Sequence, residues 1–559
     1  MNLLDSETPV GVVLGSFDAT PLEFWVGVEA HADLALDDLV VVETRTAGGR
    51  EVSFYGIVDQ VRKRYEGTQF DSDAFRVAAG TLPAEISYAG HVRVTRVDPE
   101  VFLPPSPGDR AYVVRGEAYQ KALFFDTMAK KLPIGLARSG QIVYADLEFL
   151  NGRRGAHASI SGVSGVATKT TYATFLLYSL FESGVLGAET AQTRALIFNV
   201  KGEDLLWLDK ANATLGPEDR EAWARLGLPC GPFRSVSLFA PARRGVDTPT
   251  PDTGERQLGV APFLWTLKEF ARDGLLRFAM AEAEDGRSQI AYVAELVVKY
   301  LSRLANDGRN DDPRLWVDGR ALELFDELVD HLDAQLDTIA QRQSLSQATL
   351  DAFRRRVRIA AGRIGHLVRS DHDGCRRAAI SWEATQVSVI DIHRLPASAQ
   401  TFVVGAVLTR LMERTGGGSD PLTFVVLDEL NKYAPRSGWS PLQDIVLDIA
   451  ERGRSLGVSL FGAQQTASEV ERRVVGNAAL RIVGRLDAAE AERGEYGFMT
   501  KTARERATIL KPGHMIVAQP QIPTPLLVQF PRPGWATRRS EVDTAAADRD
   551  ADPFAGISD

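Results

Sequence analysis

The sequence predicts an α/β protein: a parallel sheet covered by helices, preceded by a small β-barrel and interrupted by a helical insertion. Three observations predict it. Short Val-rich and aromatic runs separated by turn residues fill the first 110 positions. From about residue 140, apolar strand-like runs alternate with helical patterns, the signature of parallel sheets with crossover helices. Between about 203 and 380, apolar residues recur at helical spacing.

The first region, 1–110, contains VGVVLGSF, LEFWVGV, DDLVVVET, EVSFYGIVDQV and HVRVTRV. Several short strands at such spacing predict a closed or sandwiched β-unit. The segment PPSPGD (104–109) marks its end. In 111–205, HASIS (157–161) reads as a strand, TYATFLLYSLFES as an apolar helix and ALIFNV (195–200) as the next strand. The helical insertion spans 206–380, with helices expected over Phe263–Glu284, Ile290–Asn306, Ala321–Gln343 and Gln347–Arg369. Strands return in 381–532 as VSVIDI, FVVL, VSLFGA and LRIVGRL. The tail 533–559 loses apolar periodicity and reads as disordered.

Composition narrows the classes. Of 559 residues, 44% are hydrophobic and 25% charged, enough apolar material for a large core. The two cysteines, Cys230 and Cys375, lie far apart, which excludes a disulfide framework and fits a reducing compartment. The N-terminus lacks a basic region followed by an apolar core, and no apolar run approaches the about 20 residues of a membrane span. A cytoplasmic location is expected. The net charge of −10 argues against a simple nucleic-acid-binding domain. It leaves open a ring whose channel is lined by local positive charge.

Two segments carry the chemistry. Gly162-Val163-Ser164-Gly165-Val166-Ala167-Thr168-Lys169-Thr170-Thr171 sits between a strand and a helix. Backbone N–H groups and a helix N-terminus there would hold phosphates, with Lys169 reaching the β/γ-phosphates of ATP and Thr170 ligating Mg2+. The loop departs from G-x-x-x-x-G-K-[ST]: Val163 and Thr168 stand where glycines belong, and Gly162 is one residue too far back. An ordinary strand–turn–helix connection fits the same segment. The second element is Phe424-Val425-Val426-Leu427-Asp428-Glu429, an apolar strand ending in two acids. Asp428 would hold Mg2+ and Glu429 would polarise the attacking water. An exposed acidic turn is the plainer reading, but the upstream phosphate loop on the same sheet favours the chemical one. Downstream, a basic helix end with Arg452 and Arg454 precedes a strand closed by Gln464-Gln465, residues able to act on a neighbour's nucleotide and to sense a phosphate.

Taken together, HASISGVSGVATKTT, IFNVKGED, TFVVLDELNKYAP, AERGRSLGVSLFGAQQTASEV and GNAALRIVGRL resemble the HerA branch of the HerA–FtsK superfamily of hexameric DNA-translocating ATPases. The resemblance implies a RecA-like ATPase core and an N-terminal barrel similar to the HAS barrel of that branch. It implies a homohexamer acting on double-stranded DNA, with a nuclease or other effector docked on the barrel. Lys169 and Thr170 are then the phosphate and Mg2+ residues, and Asp428 and Glu429 the Walker B pair. Arg454 is the arginine finger acting in trans, with Arg452 as a nearby alternative, and Gln464 the sensor. Arg153 or Arg154 contacts nucleotide, and Glu203 matches an acid near the site. Asn199 departs from the family, which has Asp there. A ring that moves protein and a nucleotide-dependent switch or scaffold with weak hydrolysis are the alternative functions.

The most basic stretch, DAFRRRVRIAAGRIGHLVRS, either lines a DNA path or pairs with the acidic ELFDELVDHLDAQLD nearby; the pairing is favoured.

Overall fold

A computed structural model describes residues 8–66, 68, 70–163, 169–280, 289–306, 309, 311–341, 345–414 and 421–542. The chain forms two compact units, Met1–Leu147 with Leu480–Phe530, and Glu148–Ala479 with Pro531–Asp559.

In the first unit, β1 (Gly11–Val13), β2 (Glu23–Val28), β3 (Leu39–Arg45), β4 (Glu51–Glu66), β5 (Glu85–Asp98) and β6 (Arg110–Val113) form a closed barrel in the order β1-β2-β5-β4-β3-β6. Alternation along the strands turns Val26, Val40, Val42, Val52, Phe54 and Val92 into the interior. The predicted boundary at 110 falls on the first residue of the closing strand. The segment 104–109, expected to mark the end of the unit, is a tight turn ahead of the closing strand: the Ser106 N–H donates to Asp109 Oδ2 at 2.8 Å and the Gly108 N–H to the Val13 carbonyl at 2.8 Å.

The same unit holds antiparallel strands Lys131–Leu136, Ile142–Asp146, His514–Ala518 and Leu526–Gln529. The run LRIVGRL, expected in the parallel core, lies in the strand Ala478–Val483 and pairs antiparallel with His514–Ala518. Hydrophobic pattern alone does not tell a parallel buried strand from an antiparallel one, so the predicted second half of the core extends too far toward 532.

The second unit is built on seven parallel strands. These are β7 (Ala156–Ser161), β8 (Arg194–Asn199), β9 (Val236–Pro241), β10 (Val260–Phe263), β11 (Val387–Asp391), β12 (Thr423–Asp428) and β13 (Val458–Gln464). Their order is β10-β9-β11-β8-β12-β13-β7. β7, β11, β12 and β13 are buried at every position, as strands of a sheet covered on both faces are. One strand, β13, separates the phosphate-loop strand β7 from the acid-ended β12, the arrangement of a RecA-like core. β9 and β10 arise inside the segment expected to be helical. VSLFAP is a short apolar run that periodicity cannot separate from buried helix.

The helices follow the expected pattern more closely. α1 (Lys169–Glu182) begins at the end of the segment expected to bind phosphate. Predicted Phe263–Glu284 becomes Leu267–Arg272 and Leu276–Ala279, broken at Gly274 with φ 63°. α2 (Gln289–Ala305) matches its predicted span; α3 (Phe325–Ala340) starts four residues later than expected, after the short strand Arg320–Leu322, and α4 (Gln347–Ile364) ends before the predicted Arg369. Arg354 of α4 pairs with Asp337 of α3 at 2.9 Å, and Arg358 with Asp333, so the basic stretch meets its acidic neighbour as favoured. α5 (Gln443–Leu456) carries Arg452 and Arg454.

Order persists past residue 532. Trp535 is 1% exposed among Tyr178, Trp223 and Phe233, and the Trp223 indole N–H donates to the Arg532 carbonyl at 2.9 Å. The expected disordered tail therefore starts too early. A single Trp gives no periodic signal, although its burial anchors the segment. Residues 543–559 lie outside the described ones. Among the described residues, no helix is long and apolar enough to cross a membrane.

Candidate active site

Parallel strands present their carboxyl ends on one edge, where the loops that follow are free to bind. β7 ends at Ser161 and α1 begins at Lys169. Ser164, Gly165, Val166, Ala167 and Thr168 lie outside the described residues. Gly162 is described: its carbonyl accepts from Lys169 Nζ at 2.8 Å. Lys169 is 4% exposed. Burial lowers its pKa to about 8, against the pull of Asp428 and Glu429 and with help from Lys201. Thr170 Oγ1 donates to Asp428 Oδ2 at 3.2 Å, and Thr171 follows, half-buried, in the first turn of α1.

Asp428 closes β12 and turns its Oδ1 to the Glu429 N–H at 2.8 Å. Glu429 sits in the left-handed region at φ 59°, ahead of the short helix Leu430–Tyr433. This sharp turn keeps both carboxylates on the sheet edge. Both are buried, Asp428 at 4% and Glu429 at 7% exposure. Burial pushes the Glu429 carboxyl up, but hydrogen bonds from Lys201 and Gln465 more than reverse this and hold it below its usual range. Gln465 Nε2 donates to Glu429 Oε1 at 3.1 Å, and Lys432 stands 3.8 Å from Oε2.

Around this pair lies a polar belt. Asn199 Nδ2 donates to Asp391 Oδ1 at 2.9 Å and to the Gly202 carbonyl at 2.8 Å. Burial raises the Asp391 pKa, and His393, hydrogen-bonded to it, is raised in turn. Asp204 is pushed up to about 6, chiefly by burial and also by Asp428 and Asp391. Glu203 accepts the Glu255 N–H at 2.8 Å.

The remaining predicted residues are placed differently. Gln464 is fully buried and donates to Ser159 and Ser161 Oγ at 2.8 and 3.0 Å; its neighbour Gln465 is the one that reaches Glu429. Along a strand, adjacent residues point to opposite faces, so a one-residue shift decides which amide meets the acid. Arg454 is exposed and donates to the Gly152 and Arg153 carbonyls of its own chain at 2.9 and 2.6 Å. Arg452 pairs with Asp448 at 3.0 Å. Arg154 lies over the Phe149 ring at 4.8 Å and 4.0 Å from Glu148; Arg153 stands 3.5 Å from Glu189.

Three further residues stand out, two of them, Lys201 and His157, without a predicted role. Lys201 bonds Glu429 Oε1 and lies 3.6 Å from Asp428 Oδ2. A Lys two residues past a strand end, on a strand neighbouring the acidic one, is the signal that would have found it. Gln465 is the second. The third, His157, is 4% exposed: Nδ1 accepts the Leu460 N–H at 2.9 Å and the ring also bonds the Ala450 carbonyl. The imidazole thus ties β7 to β13 and α5. Gly453 of α5 allows the contact, since a Cβ there would lie 3.1 Å from the ring and 2.6 Å from the Val458 carbonyl.

The donors suit a hard cation. Asp428 Oδ2 and Thr170 Oγ1 converge, and among the described residues no group of three or more His, Cys, Asp or Glu could hold a metal. Few protein oxygens, completed by phosphate and water, is the coordination that Mg2+ favours.

No family model matches the chain, and no curated protein does. Among solved structures, it is similar to VirB4 of Thermoanaerobacter pseudethanolicus: TM-score 0.45, 14% identity, covering 74% of this chain and 98% of that one. It is also similar to the plasmid coupling protein TrwB in complex with a non-hydrolysable ATP analogue: TM-score 0.48, 12% identity, covering 77% and 95%. A shorter likeness is to the genome packaging NTPase B204 from Sulfolobus turreted icosahedral virus 2: TM-score 0.21, 17% identity, covering 27% and 69%. These likenesses are distant, and the reading of the site rests on its own side chains.

Proposed function

We propose that the protein hydrolyses ATP and couples hydrolysis to movement along double-stranded DNA as a homohexameric ring. The observation that carries the nucleotide part is the hydrogen bond from Thr170 to Asp428, which brings the end of the phosphate loop and the acid-ended strand together. In this reading Lys169 holds phosphate, and Thr170 and Asp428 hold Mg2+. The bound ion neutralises charge on the phosphates. Glu429, held ionised by Lys201 and Gln465, orients the attacking water and takes its proton. Gln465 fixes the carboxylate that acts, and Gln464 supports the end of β7 from within the sheet. Arg454 lies on the exposed face of α5, where it is proposed to reach a neighbour's nucleotide on ring closure.

The DNA, hexamer and barrel-docked nuclease or effector parts rest on the sequence resemblance. Glu429→Gln is the test of the chemistry: ATP should still bind while turnover falls by about a thousandfold, within the range for loss of a general base. Unchanged turnover removes Glu429 from the reaction. Duplex DNA titrated into the same assay at two salt concentrations tests the coupling. Stimulation should weaken as salt rises, because phosphate contacts release counterions. No stimulation by duplex at either salt concentration ends the DNA reading.

A further inference from the structure

We infer that Lys201 is an internal counter-cation: its ammonium holds the Asp428–Glu429 pair while no nucleotide is bound, and loading of the divalent ion with ATP displaces it. The inference rests on the proposed role of Asp428 as a metal-holding residue.

Two carboxylates, each more than nine-tenths buried, face one another at the ends of the sheet, and a buried carboxylate without a counter-charge is costly. Lys201 supplies that charge, bonded to Glu429 Oε1 and 3.6 Å from Asp428 Oδ2. The same Asp428 oxygen accepts from Thr170, so the ammonium stands on the oxygens that a divalent ion and its water would take. Lys169 does not replace it. That ammonium is buried and committed to the Gly162 carbonyl at 2.8 Å.

The loop around Lys201 is built so that the side chain moves and the backbone does not. Asn199 holds the Gly202 carbonyl at 2.8 Å on one side, and Glu203 holds the Glu255 N–H at 2.8 Å on the other. Gly202, at φ 61°, makes the turn between them. The Lys201 side chain itself is 46% exposed, which leaves a path outward along its flexible stem. A metal ion arriving alone must compete with the ammonium. An ion arriving with ATP brings phosphate oxygens that give the displaced ammonium a new partner. The site therefore admits metal and nucleotide together in preference to metal alone.

The test is Mn2+ binding to the full-length, nucleotide-free protein, read as loss of the free-ion paramagnetic resonance signal. Lys201→Ala should bind Mn2+ about three- to tenfold more tightly, the range for losing a half-exposed charged hydrogen bond. Lys201→Arg should stay near wild type. Lys201→Gln keeps the stem and should behave as Lys201→Ala, so that a folding defect in one is exposed by the other. Asp428→Asn should abolish this binding. Unchanged or weaker Mn2+ binding in both neutral variants, with loss in Asp428→Asn, overturns the counter-cation alone. Binding that survives Asp428→Asn overturns the metal site as well, and the inference with it.

Discussion

Two charge-dense regions of the second unit are built in opposite ways. At the carboxyl ends of β8 and β12, Lys201, Asp428 and Glu429 meet beside Lys169, and three of the four are more than nine-tenths buried. Between α3 and α4, Arg354, Arg358, Asp333 and Asp337 meet on helix faces whose charged tips reach solvent. The second set consists of Arg–Asp pairs between neighbouring helices. In the first set burial lowers the Lys169 pKa to about 8 against the pull of both carboxylates, and Lys201 with Gln465 holds the Glu429 carboxyl below its usual range. Density of charge does not mark a site; desolvated charges converging from different strands do.

The comparison breaks most readily at Arg454. If it acts in trans, Arg454→Ala lowers turnover by about a thousandfold while nucleotide still binds. Mixing it with Glu429→Gln subunits then restores part of the activity. If its task ends at the Gly152 and Arg153 carbonyls, turnover stays near wild type and only stability falls. Steady-state hydrolysis and a thermal melt of the same sample separate the two.

His157 sharpens the comparison through pH. Burial lowers its pKa to about 4, against an ordinary 6.5. Between those values the unfolded chain binds the proton and the folded chain does not, so stability falls as pH drops from 6.5 toward 4. The full loss is about 3 kcal/mol, at about 1.4 kcal/mol for each pH unit crossed. His157→Asn tolerates the φ of 70° and removes that titration. Urea unfolding at pH 7 and pH 5 should show a smaller pH-dependent loss in the variant than in wild type; an equal loss would place the titration elsewhere.

The smallest effect belongs to the helical layer. Arg358→Ala should cost under about 1 kcal/mol in urea unfolding, as exposed ion pairs do, and leave hydrolysis unchanged. A large loss of DNA-stimulated turnover would instead put the α4 arginines on a DNA path.

Much of this architecture was legible in the residues. Short apolar-rich runs placed β8, β11, β12 and β13, and β7 was legible as a strand although its AHASIS alternates apolar and polar residues that are all buried. Asp428 and Glu429 were legible because an apolar strand that stops on two acids, downstream of a phosphate loop, sets charge where a metal and a water are needed. β9 was not, since VSLFAP is as apolar as a helix segment and lies among helices. The Gln464 and Gln465 pair was legible as chemistry but not as geometry. Which amide faces the acid depends on strand phase, and phase is set by where β13 enters the sheet. The roles of Lys201 and His157 were missed for a related reason: their partners lie far off in sequence, at Glu429 and Leu460, and the strand order brings them together.

The backbone at Glu429 has an evolutionary consequence. A non-glycine residue held at φ 59° costs about 1–2 kcal/mol, which glycine would not incur. Glu429→Gly should therefore melt higher or level with wild type despite losing its ion pair with Lys201, and it should not turn over. A selection for heat resistance alone would discard this acid, and a drifting copy of the gene freed from its task would lose it early. At this position what the fold prefers and what the proposed chemistry needs pull in opposite directions.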